Sequence, residues 1–227
     1  MWSYTTRSLV IANYLPVSKV DIPLARNILD YNLARYPNSI FLLYYAGRLY
    51  STETRLETAI LTYRKAIASQ KEYVQLGHIC YWDLSLAYLA LGDWNNAYES
   101  LHILGTESNW SKAVYNYGQA IALLEQGKDL TRAAEMMSLV PGLTQKIAGK
   151  SIPLEKFVAR RAKKFTDQGH RLTLGGLEFG YVLNCLGLAP RRALYEVHLQ
   201  QVTAALAELE GVAEPSAWGQ GDEYFDG

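Results

Sequence analysis

The stretch LYYAGRLYSTETRLETAILTYRKAIASQK, residues 43–71, decides the fold. In it Gly47, Tyr50, Ala59, Tyr63 and Ala66 stand where a two-helix repeat places small, aromatic, small, aromatic and small residues. The alanine recurs outside the stretch. Ala25, Ala59, Ala97 and Ala133 follow one another at intervals of 34, 38 and 36 residues. A small residue in the second helix of each unit lets two backbones approach closely, so a period of this length predicts stacked helical hairpins. Pro37 closes the preceding unit 12 residues after Ala25, and the next unit carries Tyr88, the turn Leu91-Gly92-Asp93-Trp94, and Ala97. Gly92 suits a left-handed helix end that satisfies the last carbonyls. In the third unit Tyr117, Leu124, Gly127 and Ala133 fit, with Met137 in place of the usual aromatic.

The period is that of the tetratricopeptide unit, and the expected fold is all-α: a tetratricopeptide-like helical-hairpin solenoid, a right-handed superhelix, with C-terminal helices. Antiparallel helices are expected over Leu24–Arg35, Ser39–Tyr50, Leu56–Ala68, Leu76–Leu91, Trp94–Gly105, Ser111–Glu125 and Leu130–Ser138. Turn-forming residues interrupt the helical periodicity between them. Residues 141–153 hold Pro141, Gly142, Gly149 and Pro153 and read as a loop leading to the C-terminal helices; no segment alternates as a strand does. The division that follows is a solenoid over residues 1–211 and an acidic, disordered tail over 212–227, where Trp218, Tyr224 and Phe225 offer a short docking segment.

Composition excludes some function classes. Hydrophobic residues make up 49% and charged residues 19%, as in ordinary folded proteins, and 22 basic residues balance 22 acidic ones. No global field recruits nucleic acid or membrane. Charge is nevertheless segregated: eight Lys and Arg against two acids between Lys146 and Arg171, then seven acids and no Lys or Arg after Arg192. The two cysteines, Cys80 and Cys185, lie in apolar helical patterns and read as buried thiols of a reducing compartment. No uncharged stretch exceeds about 12 residues, against the ~20 of a membrane-spanning helix. The apolar run Ser8–Ser18 contains Asn13 and Pro16 and lacks a cleavage pattern, which points to cytosol or nucleus.

Catalytic constellations are absent from the pattern. His78, His102, His170 and His198 have no metal-ligand spacing; His78-Ile79-Cys80 puts two ligand types on divergent helix directions. Gly175-Gly176 and Gly180 follow no strand and precede no Gly-Lys-Ser/Thr, so close helix packing explains them better than a phosphate loop. No cofactor, no metal and no enzymatic activity are expected. An enzyme with an unrecognised site is the third reading.

Binding is the expected work. If first helices line a concave face, Tyr44, Arg48, Trp82, Leu86, Tyr115 and Ala122 face inward, and this mostly apolar set suits an apolar helix or peptide, with Trp82 and Tyr44 as anchors. The lysines and asparagines that would hold a chaperone carboxylate are missing. The competing reading is that the chain's own C-terminal helices cover these residues. From Ile152 to Phe165 the residues Leu154, Phe157, Val158, Ala162 and Phe165 form one apolar stripe, opposite Lys156, Arg160, Lys163 and Lys164. Those four cations are candidates for contact with an anionic lipid surface. Arg161 falls inside that stripe and Glu178 inside the stripe of the next helix, so a structural ion pair between them is expected, with Glu155 exposed.

The runs Phe41-Leu42-Leu43-Tyr44-Tyr45-Ala46-Gly47-Arg48, His78-Ile79-Cys80-Tyr81-Trp82-Asp83-Leu84, Trp94-Asn95-Asn96-Ala97-Tyr98, Ser108-Asn109-Trp110-Ser111-Lys112-Ala113 and Lys150-Ser151-Ile152-Pro153-Leu154-Glu155-Lys156-Phe157 carry a family likeness. From Ala25 to about Leu209 the chain resembles the C-terminal part of the longer tetratricopeptide repeat protein 39 and fungal inclusion-body clearance family. The resemblance implies a non-enzymatic interaction scaffold of cytoplasm and nucleus, with protein or peptide partners, lipid-droplet-associated proteins among them. It also implies peripheral association with lipid droplets and a part in clearing misfolded-protein inclusions. A hydrophobic-ligand or anionic-lipid-surface binding module is the alternative.

Overall fold

The computed structural model describes residues 21–70 and 72–210. The run Ser8–Ser18 and the expected tail lie outside the described residues. Seven helices follow in antiparallel succession: α1 Ile22–Arg35, α2 Ile40–Thr52, α3 Leu56–Ala68, α4 Val74–Leu91, α5 Trp94–Glu107, α6 Lys112–Gln126 and α7 Leu130–Leu139. Each packs on the next in sequence. They form an all-α solenoid whose first helices are α2, α4 and α6 and whose second helices are α1, α3, α5 and α7.

Local chemistry sets the boundaries. The Asp21 side chain accepts from the Leu24 N–H at 2.9 Å at the start of α1. At the end of α4 Gly92 is left-handed (φ 71°); its N–H reaches the Leu89 carbonyl and that of Asp93 reaches Tyr88. This closes the helix with the paired bonds of a Schellman turn. Asp93 then starts α5, accepting from the Asn96 N–H at 3.1 Å. Gly127 and Asp129 repeat the arrangement between α6 and α7. The α2–α3 turn makes the same bonds through Thr54 at φ 58°, a left-handed position held by a β-branched residue.

Packing follows the small residues. Ala25, Ala59, Ala97 and Ala133 have no exposed surface. A Cβ built on Gly47 would overlap the Tyr63 ring, and one on Gly118 would lie 2.8 Å from Leu101 and 2.9 Å from Phe179. The aromatic of one helix therefore lies directly on the backbone of another.

After α7 a 3-10 turn, Val140–Leu143, leads to a two-residue antiparallel ladder, β1 Lys146–Ile147 and β2 Lys150–Ser151, which pairs Lys146 with Ser151. This corrects the plain loop expected there. Ala148 and Gly149 both have positive φ, the geometry of a tight hairpin turn, and strands this short leave no alternation to read. Helices α8 Pro153–Asp167 and α9 Gly175–Val182 follow; then a 3-10 turn at Leu186–Leu188, α10 Arg191–Ala193, a π turn Leu194–His198 and α11 Leu199–Glu210.

The C-terminal helices join the solenoid core. Tyr117 of α6 meets Phe179 edge-on at 5.2 Å and Phe157 at 6.3 Å. Gly175 and Gly176 bring the start of α9 against Ile121, Trp94 and Glu125. Glu125 accepts from the Gly176 N–H at 2.8 Å and from Gln201 of α11 at 3.1 Å. Burial raises the Glu125 pKa against the pull of the Gly176 bond. The imidazole of His198 donates to the Ala90 carbonyl at 2.8 Å and so fixes the π turn against the end of α4.

Two stability measurements test this packing. Ala97→Leu forces extra carbon into a filled contact and should lower the free energy of unfolding in urea by ~1–3 kcal/mol. Thr54→Gly removes a left-handed β-branched residue and should raise it by up to ~1 kcal/mol; an unchanged midpoint would count against the turn geometry.

Candidate functional site

The six expected groove residues separate into two groups. Arg48, Leu86 and Ala122 are buried, as is Tyr115 apart from its edge, while Tyr44 and Trp82 are half-buried. A continuous open face through all six does not form. The first helices α2 and α4 are themselves in contact, so the stripe through Arg48 and Leu86 becomes a seam between them.

Arg48 illustrates the cause. Its Nη1 donates to Asp83 Oδ1 at 2.9 Å, across the seam between α2 and α4. The Tyr63 hydroxyl donates to Asp83 Oδ2 at 3.4 Å and lies 3.4 Å from Ser51 Oγ. Burial pushes the Asp83 pKa up and Arg48 opposes it, while Tyr63 is held well above the ordinary phenol range by burial and then by Asp83. The cluster is a buried staple between repeats. Cys80 beside it is pushed up to about 12 by burial, as is Cys185, so the thiolate that nucleophilic chemistry needs is suppressed at both.

Trp82 and Tyr115 stay together near the surface. Their ring centroids are 5.8 Å apart, and with Ile79, Trp110 and Leu154 they line a recess of about 370 Å³. Trp110 is 66% exposed and Ile79 45% exposed. Neither belongs to the six residues expected on the inward face. A signal exists for Trp110: between Asn109 and Ser111 it sits in a turn with no helix face to bury it.

The turn that carries Trp110 is held from a distance. Gln145 Nε2 donates to the Asn109 carbonyl at 3.0 Å, and Gln145 Oε1 accepts from the Ser111 N–H at 3.3 Å. The Gln145 backbone N–H in turn donates to Glu155. Glu155 is therefore buried, which corrects the exposed position expected for it. The chain between residues 140 and 152 folds back over the first turn of α8 and covers it.

On α8 the residues Val158, Ala162 and Phe165 are buried, and Lys156, Arg160 and Lys163 are exposed with Lys164 half-buried. Arg161 Nε donates to Glu178 Oε2 at 2.8 Å and its Nη2 reaches Oε1, a two-pronged pair joining α8 to α9. Among the described residues no group of three or more His, Cys, Asp and Glu is placed to hold a metal ion, and no helix is long and apolar enough to cross a membrane.

The staple yields a double-mutant test. Asp83→Ala should cost ~3–5 kcal/mol of folding stability by removing the carboxylate that Arg48 meets in the buried seam, whereas Arg48→Met with Asp83→Ala should cost clearly less than the two single changes summed. Additive losses in urea unfolding would show that the two residues do not act as a pair.

The sequence profile of the Iml2/Tetratricopeptide repeat protein 39 family matches residues 2–216. The chain is similar to Tetratricopeptide repeat protein ttc-39B of Caenorhabditis elegans, with 31% identity over 184 residues, 79% of this chain and 32% of that protein. It thus spans about a third of the length of this curated relative. No solved structure matches. With the hairpin solenoid and its repeat alanines in place, the chain belongs to the Iml2/Tetratricopeptide repeat protein 39 family.

Proposed function

We propose that this chain is a non-enzymatic protein-interaction scaffold whose recess at Ile79, Trp82, Trp110 and Tyr115 captures an apolar peptide segment. The observation that carries the reading is the exposure of Trp110 beside the Trp82–Tyr115 pair. A large apolar ring left in water costs free energy, yet the Gln145 bonds hold its turn in place. A rigid aromatic anchor next to a recess loses little entropy on binding. Family membership supports the scaffold role. The likeness to the fungal branch extends it to lipid-droplet-associated partners, clearance of misfolded-protein inclusions, and a cytoplasmic and nuclear setting.

The lipid-surface reading is the weaker one. An interfacial helix must sink its apolar face into the bilayer. In α8 that face is spent on the core through Val158, Ala162 and Phe165. Lys156, Arg160, Lys163 and Lys164 are left with electrostatic attraction alone.

Peptides selected from a random display library on the whole chain provide the probe. Their affinity should fall about 30-fold in Trp110→Ala, the effect of an interface hot spot of ~2 kcal/mol. It should persist in high salt, because the recess is apolar. Melting should be nearly unchanged, since Trp110 is exposed. Selected peptides indifferent to both Trp110→Ala and Trp82→Ala would end the proposal.

A further inference from the structure

Gln145, which holds the Trp110 turn, also lines a second concavity. An open pocket of about 560 Å³ lies between the β1–β2 hairpin and the first two turns of α8, with Gln145 and Glu155 in its wall. Leu154, the residue before Glu155, lines the aromatic recess, as does Ser111, whose N–H the Gln145 side chain binds. The two concavities are therefore neighbours.

Their chemistry differs. Lys146 of β1 and Lys156 and Arg160, one turn apart on α8, converge on the pocket, and the hydroxyl-bearing Thr144 and Ser151 share its wall. All three cations are exposed. None of them takes part in an ion pair of the described residues. The single carboxylate of the lining, Glu155, is buried and bound by the Gln145 N–H. The pocket thus keeps a surplus of positive charge.

Three cations around one hollow favour a ligand that brings several negative oxygens to a point. A phosphate monoester carries about −1.5 to −2 charges at neutral pH and three acceptor oxygens, and the guanidinium fork of Arg160 suits two of them. A carboxylate brings less charge and fewer oxygens. The volume falls within the ~300–1,000 Å³ range of pockets that hold drug-sized ligands, which leaves room for the residue that bears the phosphate. A peptide suits the position better than a membrane does. An interfacial site needs apolar side chains to sink into the bilayer, and apart from Pro141 and Ala159 this lining is polar. Beside it lies the recess proposed to hold an apolar peptide.

We infer that the segment captured in the Trp110 recess carries a phosphoserine or phosphothreonine whose phosphate is received by Lys146, Lys156 and Arg160, a conclusion that rests on the peptide reading of the recess. Peptides selected on the whole chain, and shown to occupy the recess by their loss of affinity in Trp110→Ala, provide the probe. Each is extended at either end with one phosphoserine about two to six residues out, at ~3.3 Å per residue, beside a twin that carries serine. At one end, over a narrow range of offsets, the phosphopeptide should bind about 10-fold tighter than its twin, as three contacts each weakened by water would give. The gain should vanish in Lys146→Ala with Arg160→Ala, shrink in Lys156→Ala and fall with added salt, while the twin keeps its affinity throughout. These side chains are exposed and outside the core, so melting should be unchanged. No gain at any offset would overturn the inference and leave the recess reading standing, as would a gain indifferent to the three substitutions. Peptides that ignore both Trp110→Ala and Trp82→Ala would end the two readings together. Binding of vesicles containing phosphatidylinositol 4,5-bisphosphate through the same three residues, with no gain for phosphopeptides, would overturn it by assigning the pocket to a membrane.

Discussion

Close approach of helix backbones at small residues is the constraint from which the rest of this molecule is built. Ala25, Ala59, Ala97 and Ala133 are wholly enclosed, and the Tyr63 ring occupies the space that a side chain at position 47 would need. Larger residues at these points would hold the helices apart by the thickness of a methylene or more, and dense packing transmits such a change to every later hairpin. The glycine and aspartate turns at residues 92–93 and 127–129 then reverse the chain within two or three residues, so each helix is delivered onto its predecessor.

Because the apolar contacts are nondirectional, register between the stacked units falls to buried polar groups. Arg48 and Asp83 lock α2 to α4, Glu125 ties α6 to the start of α9 and to α11, and Glu155 reaches through Gln145 to the turn before α6. Burying these charges costs desolvation that pairing only partly returns. What they add is direction. The last of the three has a functional consequence: a carboxylate on α8 fixes the turn that holds Trp110 out to solvent, so the C-terminal helices shape a recess on the repeat array that they do not themselves fill.

Stacked repeats expose an apolar face at each end and need closure. Here α8 and α9 provide it, with Phe157 and Phe179 set on Tyr117 in edge-to-face contact. Helix α8 is itself amphipathic, with exposed cations on its outer side, and α11 carries an exposed apolar strip of its own. The array and its closing helices therefore present two concave surfaces of different chemistry: a neutral aromatic recess and a cationic pocket.

The sequence by itself determined the seven helices of the array, their order and the reversals at Gly92 and Gly127. Those depend on local properties: periodic apolar positions, a small residue about every 36, and Gly92, Asp93, Gly127 and Asp129 at the reversals. The opposed stripes that placed Arg161 and Glu178 on facing sides of consecutive helices were legible for the same reason. The site was not. A helical wheel puts Arg48, Leu86 and Ala122 on the same face as Trp82, and only the contact between first helices decides that the former three are seam and core. Glu155 looked like a solvated first-turn acid, and the fold-back of residues 140–152 that buries it is a nonlocal event. Trp110 acquired its place through Gln145, 35 positions later in the chain. Local periodicity specifies which side of a helix is apolar; which helix comes to cover that side is decided by long-range packing and hydrogen bonding, and in this protein that choice separates a buried charge from a binding surface.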